Sequence, residues 1–304
     1  MSLFSRLVVT TLPIVPKALV GKVASRYVAG ELLEDALSTV GVLNQQGAMA
    51  TVDVLGEEVS ERDRAEDAVE EYIRIFESIE SQNLDANVSI KPTLLGLKID
   101  EQFCRKNIER IAVAAKQASN FVRIDMEDRT CTDATLDIYQ KLQAQYGNLG
   151  AVLQAYMRRT LQDIEELPAD NANVRLCKGI YIEPRATAWK GYQTVRHNFV
   201  VALEKLITRG VYVGIATHDE YLTCAAVGLL DKHRVPKDRY EFQMLLGVDE
   251  QLRQIILDDG HRLRVYVPYG RDWYPYSIRR LRENPEVAAH VARAFFGLPP
   301  VSSR

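Results

Sequence analysis

Short runs rich in β-branched residues alternate along this chain with longer stretches whose apolar positions recur every three or four residues. The runs are MATVDVLG (49–56), NVSIKP (87–92), FVRIDME (121–127), AVLQAYM (151–157), NVRLCKG (173–179), VYVGIATH (211–218), RYEFQML (239–245) and LRVYVPYG (263–270). Helical patterns lie between them, such as ERDRAEDAVEEYIRIFESIES after the first and TDATLDIYQKLQAQYG after the third. The second of these is expected to open on Thr132 or Asp133 as its N-cap. Strand–helix alternation implies parallel strands joined by right-handed crossovers. Eight such units in 304 residues predict an α/β chain folded as a closed (β/α)8, TIM-like barrel. The branched residues of the runs are expected to fill its interior.

Ahead of the first run, GKVASRYVAGELLEDALSTVGVLNQQG (21–47) reads as amphipathic helix. The chain therefore divides into a helical lead-in, 1–47, and a barrel domain, 48–304. Leu7 to Val20 is mostly apolar, but it holds Pro13, Pro16 and Lys17 and is too short to span a bilayer. No cleavage boundary follows it, so the expectation is a packed or membrane-touching helix rather than an export signal.

Composition narrows the class. An apolar share of 47% and a charged share of 26% suit a globular protein with a sizeable core. A net charge of −3 provides no general attraction to nucleic acid. Cys104, Cys131, Cys177 and Cys224 stand far apart with no C-x-x-C, which argues against a structural zinc and for a reducing cytoplasm. No three-histidine or His–carboxylate spacing suggests a metal site, and G-x-G-x-x-G is absent.

Active sites of such barrels sit at the C-terminal ends of the strands. Those ends carry Glu57, Lys91, Asp125, Gln154, Arg175 with Lys178, Thr217 with His218, Gln243 and Tyr266. Surface solvation does not account for so consistent a ring of polar groups beside buried segments. The helix after the last strand, YPYSIRRLRENPE (274–286), has two stripes at helical spacing. Tyr274, Ile278 and Leu281 form a packing face, whereas Tyr276, Arg279, Arg280 and Glu283 form a polar one. Because the helix follows the eighth strand, the polar stripe is expected to face the barrel mouth.

Adjacent arginines grip a carboxylate through bidentate, charge-assisted hydrogen bonds. Tyr276 and Tyr266 suit the walls around an apolar body. The set describes a pocket for a small carboxylic acid such as an amino acid. Lys91 has two readings, a second cation for that pocket or a strand-end lysine reaching solvent. VRLCKG is equally open: Lys178 suits a Schiff-base lyase, and Arg175 suits stabilisation of a cofactor that becomes anionic on reduction. ATHD ends a strand and begins a helix, so Thr217, His218 and nearby amides suit phosphate, although a lone histidine is more often structural.

These motifs resemble the proline dehydrogenases, flavoproteins found alone or as a domain of bifunctional proline-catabolic enzymes. The resemblance runs from about Tyr27 to Asn284. Its most specific element is Y-x-x-R-R-x-x-E-N at Tyr276 to Asn284, preceded in order by DVLGE, VSIK, RIDME, LQAY, RLCKGIY, ATHD, FQML and VYVPYG. It implies FAD as cofactor, L-proline as substrate, 1-pyrroline-5-carboxylate as product and a membrane quinone as electron acceptor. It further implies coupling to a pyrroline-5-carboxylate dehydrogenase, and peripheral docking on the inner face of the cytoplasmic membrane.

By position, Arg279 and Arg280 resemble the pair that clamps the proline carboxylate, joined by Lys91. Tyr276, Tyr266, Tyr181 and Leu245 resemble the walls around the ring. Arg175 is similar to the arginine near flavin N5, and Asp125 to the aspartate between flavin and substrate. Met126, Gln154, Cys177, Lys178, Gly179, Thr217, His218, Gln243 and Glu283 match positions that contact or support FAD. Glu57 matches a gate glutamate that pairs with Arg279. QTVRHNFVV (193–201) departs from the family pattern, leaving Thr194 and Arg196 as phosphate contacts by analogy alone, and Ile182 stands where some members carry tryptophan. Two other readings stay open: a Schiff-base lyase using Lys91 or Lys178, and a non-catalytic amino-acid sensor that keeps the clamp.

Overall fold

The computed structural model describes Gly21 and residues 25–168 and 171–283, with side chains as far as Ile278. Its strands are β1 (Met49–Val54), β2 (Ala86–Ile90), β3 (Val122–Ile124), β4 (Leu149–Gln154), β5 (Asn173–Cys177), β6 (Tyr212–Ala216), β7 (Tyr240–Leu245) and β8 (Leu263–Tyr269). They close in chain order into one parallel barrel, β8 pairing back onto β1 from Met49↔Arg264 to Val54↔Tyr269. Helix α1 (Leu33–Gln45) precedes β1. The crossovers are α2 (Arg62–Ser81), α3 (Glu101–Gln117), α4 (Thr132–Tyr146), α5 (Thr160–Glu165), α6 (Tyr192–Thr208), α7 (Glu220–Lys232) and α8 (Glu250–Asp258), and α9 (Trp273–Glu283) follows β8.

Some boundaries differ from those the pattern predicts. Strand β4 starts at Leu149 and stops at Gln154. Beyond it the chain turns to receive the β5–α6 loop, with Trp189 N–H donating to the Tyr156 carbonyl at 2.7 Å and Met157 bridging Ala188. Helix α4 begins with Cys131 in the cap position and no side-chain cap. Thr132 is already helical, because the turn closed by Cys131 N–H on the Asp128 carbonyl (3.0 Å) delivers the chain in helical conformation. The long helix expected over 21–47 is helical over Leu33–Gln45. Residues 28–30 run without helix along the end of β8, where Ala29 N–H donates to the Pro268 carbonyl at 2.9 Å and Gly270 N–H to that of Gly30 at 3.0 Å. Tyr27 and Val28 pack there against Leu55 and Tyr276. The apolar stretch Leu7 to Val20 lies outside the described residues.

The interior overturns the expectation of a branched aliphatic filling. Arg175 on β5 donates to Ser89 on β2 (3.0 Å), and Tyr266 on β8 donates to Asp125 after β3 (3.0 Å). These strands are not neighbours, so the contacts cross the barrel. Period-two alternation then directs Asp53, Asn87, Ser89, Arg123, Arg175, Glu241, Gln243, Arg264 and Tyr266 inward. The branched residues at the intervening positions, such as Val52, Ile90, Ile124, Val174, Leu176 and Ile215, point outward into one apolar cluster with Ile75, Phe76, Ile111 and Phe199 of the helices. Burial of each such side chain contributes about 1.5–3 kcal/mol.

Two glycines make room for the long polar groups. A Cβ on Gly150 would lie 2.3 Å from the Arg123 guanidinium, and one on Gly214 would lie 2.5 Å from the Gln243 amide.

In a regular barrel the last helix packs outside β8 and β1. Here α1 packs onto those two strands, inserting Ala36, Leu37, Val40 and Leu43 into the apolar cluster. Helix α9 instead brings Tyr276 to the barrel mouth.

Candidate active site

A cavity of about 380 Å³ opens at the C-terminal end of the barrel. Its walls include Glu57, Lys91, Asp125, Met126, Gln154, Arg175, Cys177, Lys178, Gly179, Tyr181, His218, Gln243, Leu245, Tyr266 and Tyr276. Fifteen residues singled out from the sequence thus meet in one place, drawn from all eight strand ends or the loops beyond them and from α9. Thr217 lies beside it, in an adjoining groove shared with Lys178, Tyr192, Arg196, His218 and Asp219. The backbone of α9 carries Arg279, Arg280 and Glu283, whose side chains lie outside the described residues.

Two ion pairs dominate the mouth. Lys91 Nζ lies 2.5 and 2.6 Å from the two Asp53 oxygens, with both residues buried. Burial alone would lower the Lys91 pKa, but the adjacent Asp53 carboxylate outweighs it and holds the ammonium above its ordinary range. The reading of Lys91 as a solvated strand-end lysine is therefore set aside.

Arg175 is fixed on all three nitrogens. Nη1 donates to Asp125 Oδ1 at 2.6 Å, Nη2 to Ser89 Oγ at 3.0 Å, and Nε to Gln243 Oε1. Asp125 also accepts from Ser89 Oγ and from the Tyr266 hydroxyl, each at 3.0 Å. Tyr266 presents its ring to the guanidinium, 5.4 Å from the centroid. A charge-assisted network of this kind holds its members in one geometry.

The flank near α7 is also charged. Asp219 accepts from Lys178 (3.1 Å), Tyr192 (2.9 Å) and Arg196 Nε and Nη2 (2.9 and 2.6 Å). Burial works against ionisation there, yet these donors hold the Asp219 carboxyl well below the usual carboxylate range. Thr217 Oγ1 accepts from Asp219 N–H at 3.1 Å, and His218 Nε2 accepts from Leu245 N–H at 2.8 Å. His218 therefore has a structural task, tying the end of β6 to β7. In the loops beyond β3 and β2, Glu127 accepts from Thr93 N–H (2.9 Å) and Thr93 Oγ1 (2.5 Å), and burial pushes its carboxyl up to about 7.

Sequence reasoning missed Asp53, Ser89, Asp219, Tyr192 and Glu241. Strand parity was the available signal for Asp53, Ser89 and Glu241, since each sits two residues from a rim or interior position on the same face. Asp219 and Tyr192 had no comparable signal, because one caps a helix and the other opens one. Ile182 stands almost fully exposed. Among the described residues no group of three His, Cys, Asp or Glu side chains comes together to hold a metal ion.

A family model described as proline dehydrogenase matches residues 36–293. Proline dehydrogenase 2 of Bacillus subtilis (strain 168) is 37% identical over 275 residues, covering 90% of both chains. Proline dehydrogenase of Deinococcus radiodurans is 35% identical over 275 residues, covering 89% of each. A crystal structure of proline utilization A from Bdellovibrio bacteriovorus, inactivated by N-propargylglycine, superposes with a TM-score of 0.82 at 23% identity. That match covers 92% of this chain but 36% of the other, so it speaks for the fold of one part of a larger protein. On the family model and the two full-length relatives, the chain belongs to the proline dehydrogenase family.

Proposed function

We propose that this chain oxidises L-proline to 1-pyrroline-5-carboxylate with bound FAD, and that the electrons pass on to a quinone. The observation that carries the reading is the mouth cavity itself. It joins a buried cation at Lys91, a fully anchored guanidinium at Arg175, and the apolar or aromatic walls Met126, Leu245, Tyr266 and Tyr276.

The residues fit a flavin. Gln154 is buried at the cavity wall with its Oε1 lacking a hydrogen-bond partner, an acceptor that a ring N–H would satisfy. Gln154, Met126, Cys177, Gly179 and Gln243 would hold the ring system. Lys178, Thr217, His218 and Arg196 would face the phosphates, which compete with Asp219 for the cations of that groove. When bound, FAD supplies the two-electron acceptor for the ring C–H beside nitrogen.

The chain's own part is positioning and electrostatics. Lys91, Arg279 and Arg280 hold the proline carboxylate. Tyr181, Leu245, Tyr266 and Tyr276 enclose the ring and exclude water, which places the C–H at the cofactor. Arg175, oriented by Asp125 and Ser89, offsets the negative charge that accumulates on reduction. Glu57 with Arg279 closes the site. Transfer to a membrane quinone, peripheral docking at the inner face of the membrane, and consumption of the product by a pyrroline-5-carboxylate dehydrogenase complete the reading. No described helix is long and apolar enough to cross a membrane.

The lyase alternative has no observation in its favour. A Schiff-base lysine needs a neutral amine, whereas Lys91 is an ion-paired ammonium and Lys178 is paired with Asp219 at 3.1 Å. The test is product chemistry. Purified protein given proline and a soluble quinone should yield the cyclic imine, two mass units lighter than proline on the order of one per quinone reduced. Borohydride-trapped substrate on a lysine, or proline recovered unchanged, would reject the assignment.

A further inference from the structure

Beneath Arg175 the network continues toward the barrel floor. Arg175 Nε donates to Gln243 Oε1, and Gln243 Nε2 donates to Glu241 Oε1 at 2.6 Å. Glu241 also accepts from Arg264 Nε at 2.8 Å and from the Tyr212 hydroxyl at 2.9 Å. Arg264 is tied in turn to the Ala50 carbonyl at 2.7 Å. Arg175, Gln243, Glu241 and Arg264 are all buried.

The order of atoms in the Gln243 amide has a physical cause. Its two ends lie between a guanidinium that can only donate and a carboxylate that can only accept. The carbonyl oxygen must therefore face Arg175 and the NH2 must face Glu241. The missing side chain at Gly214 leaves the space this amide occupies. Burial alone would raise the Glu241 pKa, but Arg264 and the donors around it bring it down to about 2, so the acceptor is present at any working pH.

We propose that Glu241 is a positioning residue for the oxidation: it fixes the Gln243 amide, and through it the Arg175 guanidinium, without touching substrate or cofactor. This rests on the placement of Arg175 beside the flavin in the proposed function. Glu241→Gln replaces the carboxylate that anchors the Gln243 NH2 by a neutral amide with one acceptor oxygen, for which Gln243 and Arg264 then compete. The Gln243 amide loses its charged anchor, and the Arg175 Nε contact loosens while Arg175 keeps its bonds to Asp125 and Ser89. Glu241→Asp keeps the charge but withdraws the acceptor from Gln243 by one methylene.

The first measurement is the midpoint potential of the flavin in the purified holoprotein. Both variants are expected to lower it by about 30 mV, a tenfold change for a two-electron couple. Neither should lower it further when Gln243→Leu is already present. A purely electrostatic role predicts a rise for Glu241→Gln and persistence of that rise in the Gln243→Leu background. A purely structural role predicts no change. Either result overturns the proposal.

The second measurement needs no flavin. Solvent exchange of the Arg175 Nε–H, followed by 15N NMR on the protein as isolated and assigned with Arg175→Lys, should quicken roughly tenfold in both Glu241 variants. Unchanged exchange rejects the relay. A wild-type protein that carries no flavin rejects the cofactor reading instead, while the exchange experiment still decides for or against Glu241. Where Glu241→Gln does not fold, Glu241→Asp alone carries both readouts.

Discussion

Lys91 Nζ sits 2.5 Å from Asp53 Oδ1 and 2.6 Å from Oδ2, an ion pair buried under the barrel mouth. In the proposed reaction the substrate carboxylate competes with Asp53 for the same ammonium. Binding of proline is thus an exchange of partners, and the cation never faces the cavity uncompensated.

Lys91→Met should raise the KM for proline roughly ten- to a hundredfold, the loss of one charge-assisted hydrogen bond of about 1.5–3 kcal/mol. It also strands Asp53 in a buried site, at a cost of about 3–5 kcal/mol. Adding Asp53→Asn should restore most of the thermal stability and none of the affinity. Steady-state kinetics and thermal melts on the single and double variants separate the two effects. An unchanged KM in Lys91→Met would remove Lys91 from the clamp.

Arg280→Met should raise the KM for proline by a similar factor while the flavin-to-protein absorbance ratio stays near wild type. Arg279→Met should have the smaller effect, because in this account Arg279 divides its charge between substrate and Glu57. Equal proline affinity in Arg280→Met would end the clamp assignment.

Glu127 makes a prediction about pH and stability. Its carboxyl, pushed up to about 7 by burial, titrates near 4.5 when unfolded. Between those values the folded protein binds more protons than the unfolded one, so stability falls as pH rises from 4.5 through 7. The penalty is complete above pH 7 and is on the order of 3 kcal/mol. Glu127→Gln keeps an acceptor for Thr93 N–H and loses the titration. Its melting temperature at pH 8 should exceed that of the wild type, and the difference should shrink toward pH 5. A constant difference across that range would show that Glu127 is not the group responsible.

The barrel was legible because strand and helix have different periods, and eight repeats of the alternation leave little choice of topology. The ring of strand-end residues was legible for the same reason, since a known strand end fixes where Lys91, Asp125, Gln154 and Gln243 emerge. What the barrel contains was misread. Alternation in N-V-R-L-C says only that Val174 and Leu176 share one face and Arg175 the other. Which face looks inward depends on closure, and the charged face is stable inside only because each charge finds a hydrogen-bonding partner on another strand. Asp53 with Lys91 and Glu241 with Arg264 are such pairs, separated by 38 and 23 residues along the chain. Local sequence does not encode them. The helix over 21–47 was shortened for a different reason: Tyr27 and Val28 gain more by packing on Leu55 and Tyr276 at the mouth than by extending α1.

The central claim is that proline, held at this mouth, gives up two electrons to a flavin bound there. An absorbance spectrum of the purified protein, recorded before and after adding proline without oxygen, tests it most directly. The account predicts a yellow protein whose band near 450 nm bleaches in proportion to bound flavin and returns when a quinone is added. A protein that stays colourless after reconstitution with FAD, or a yellow one that proline leaves unbleached, would contradict it.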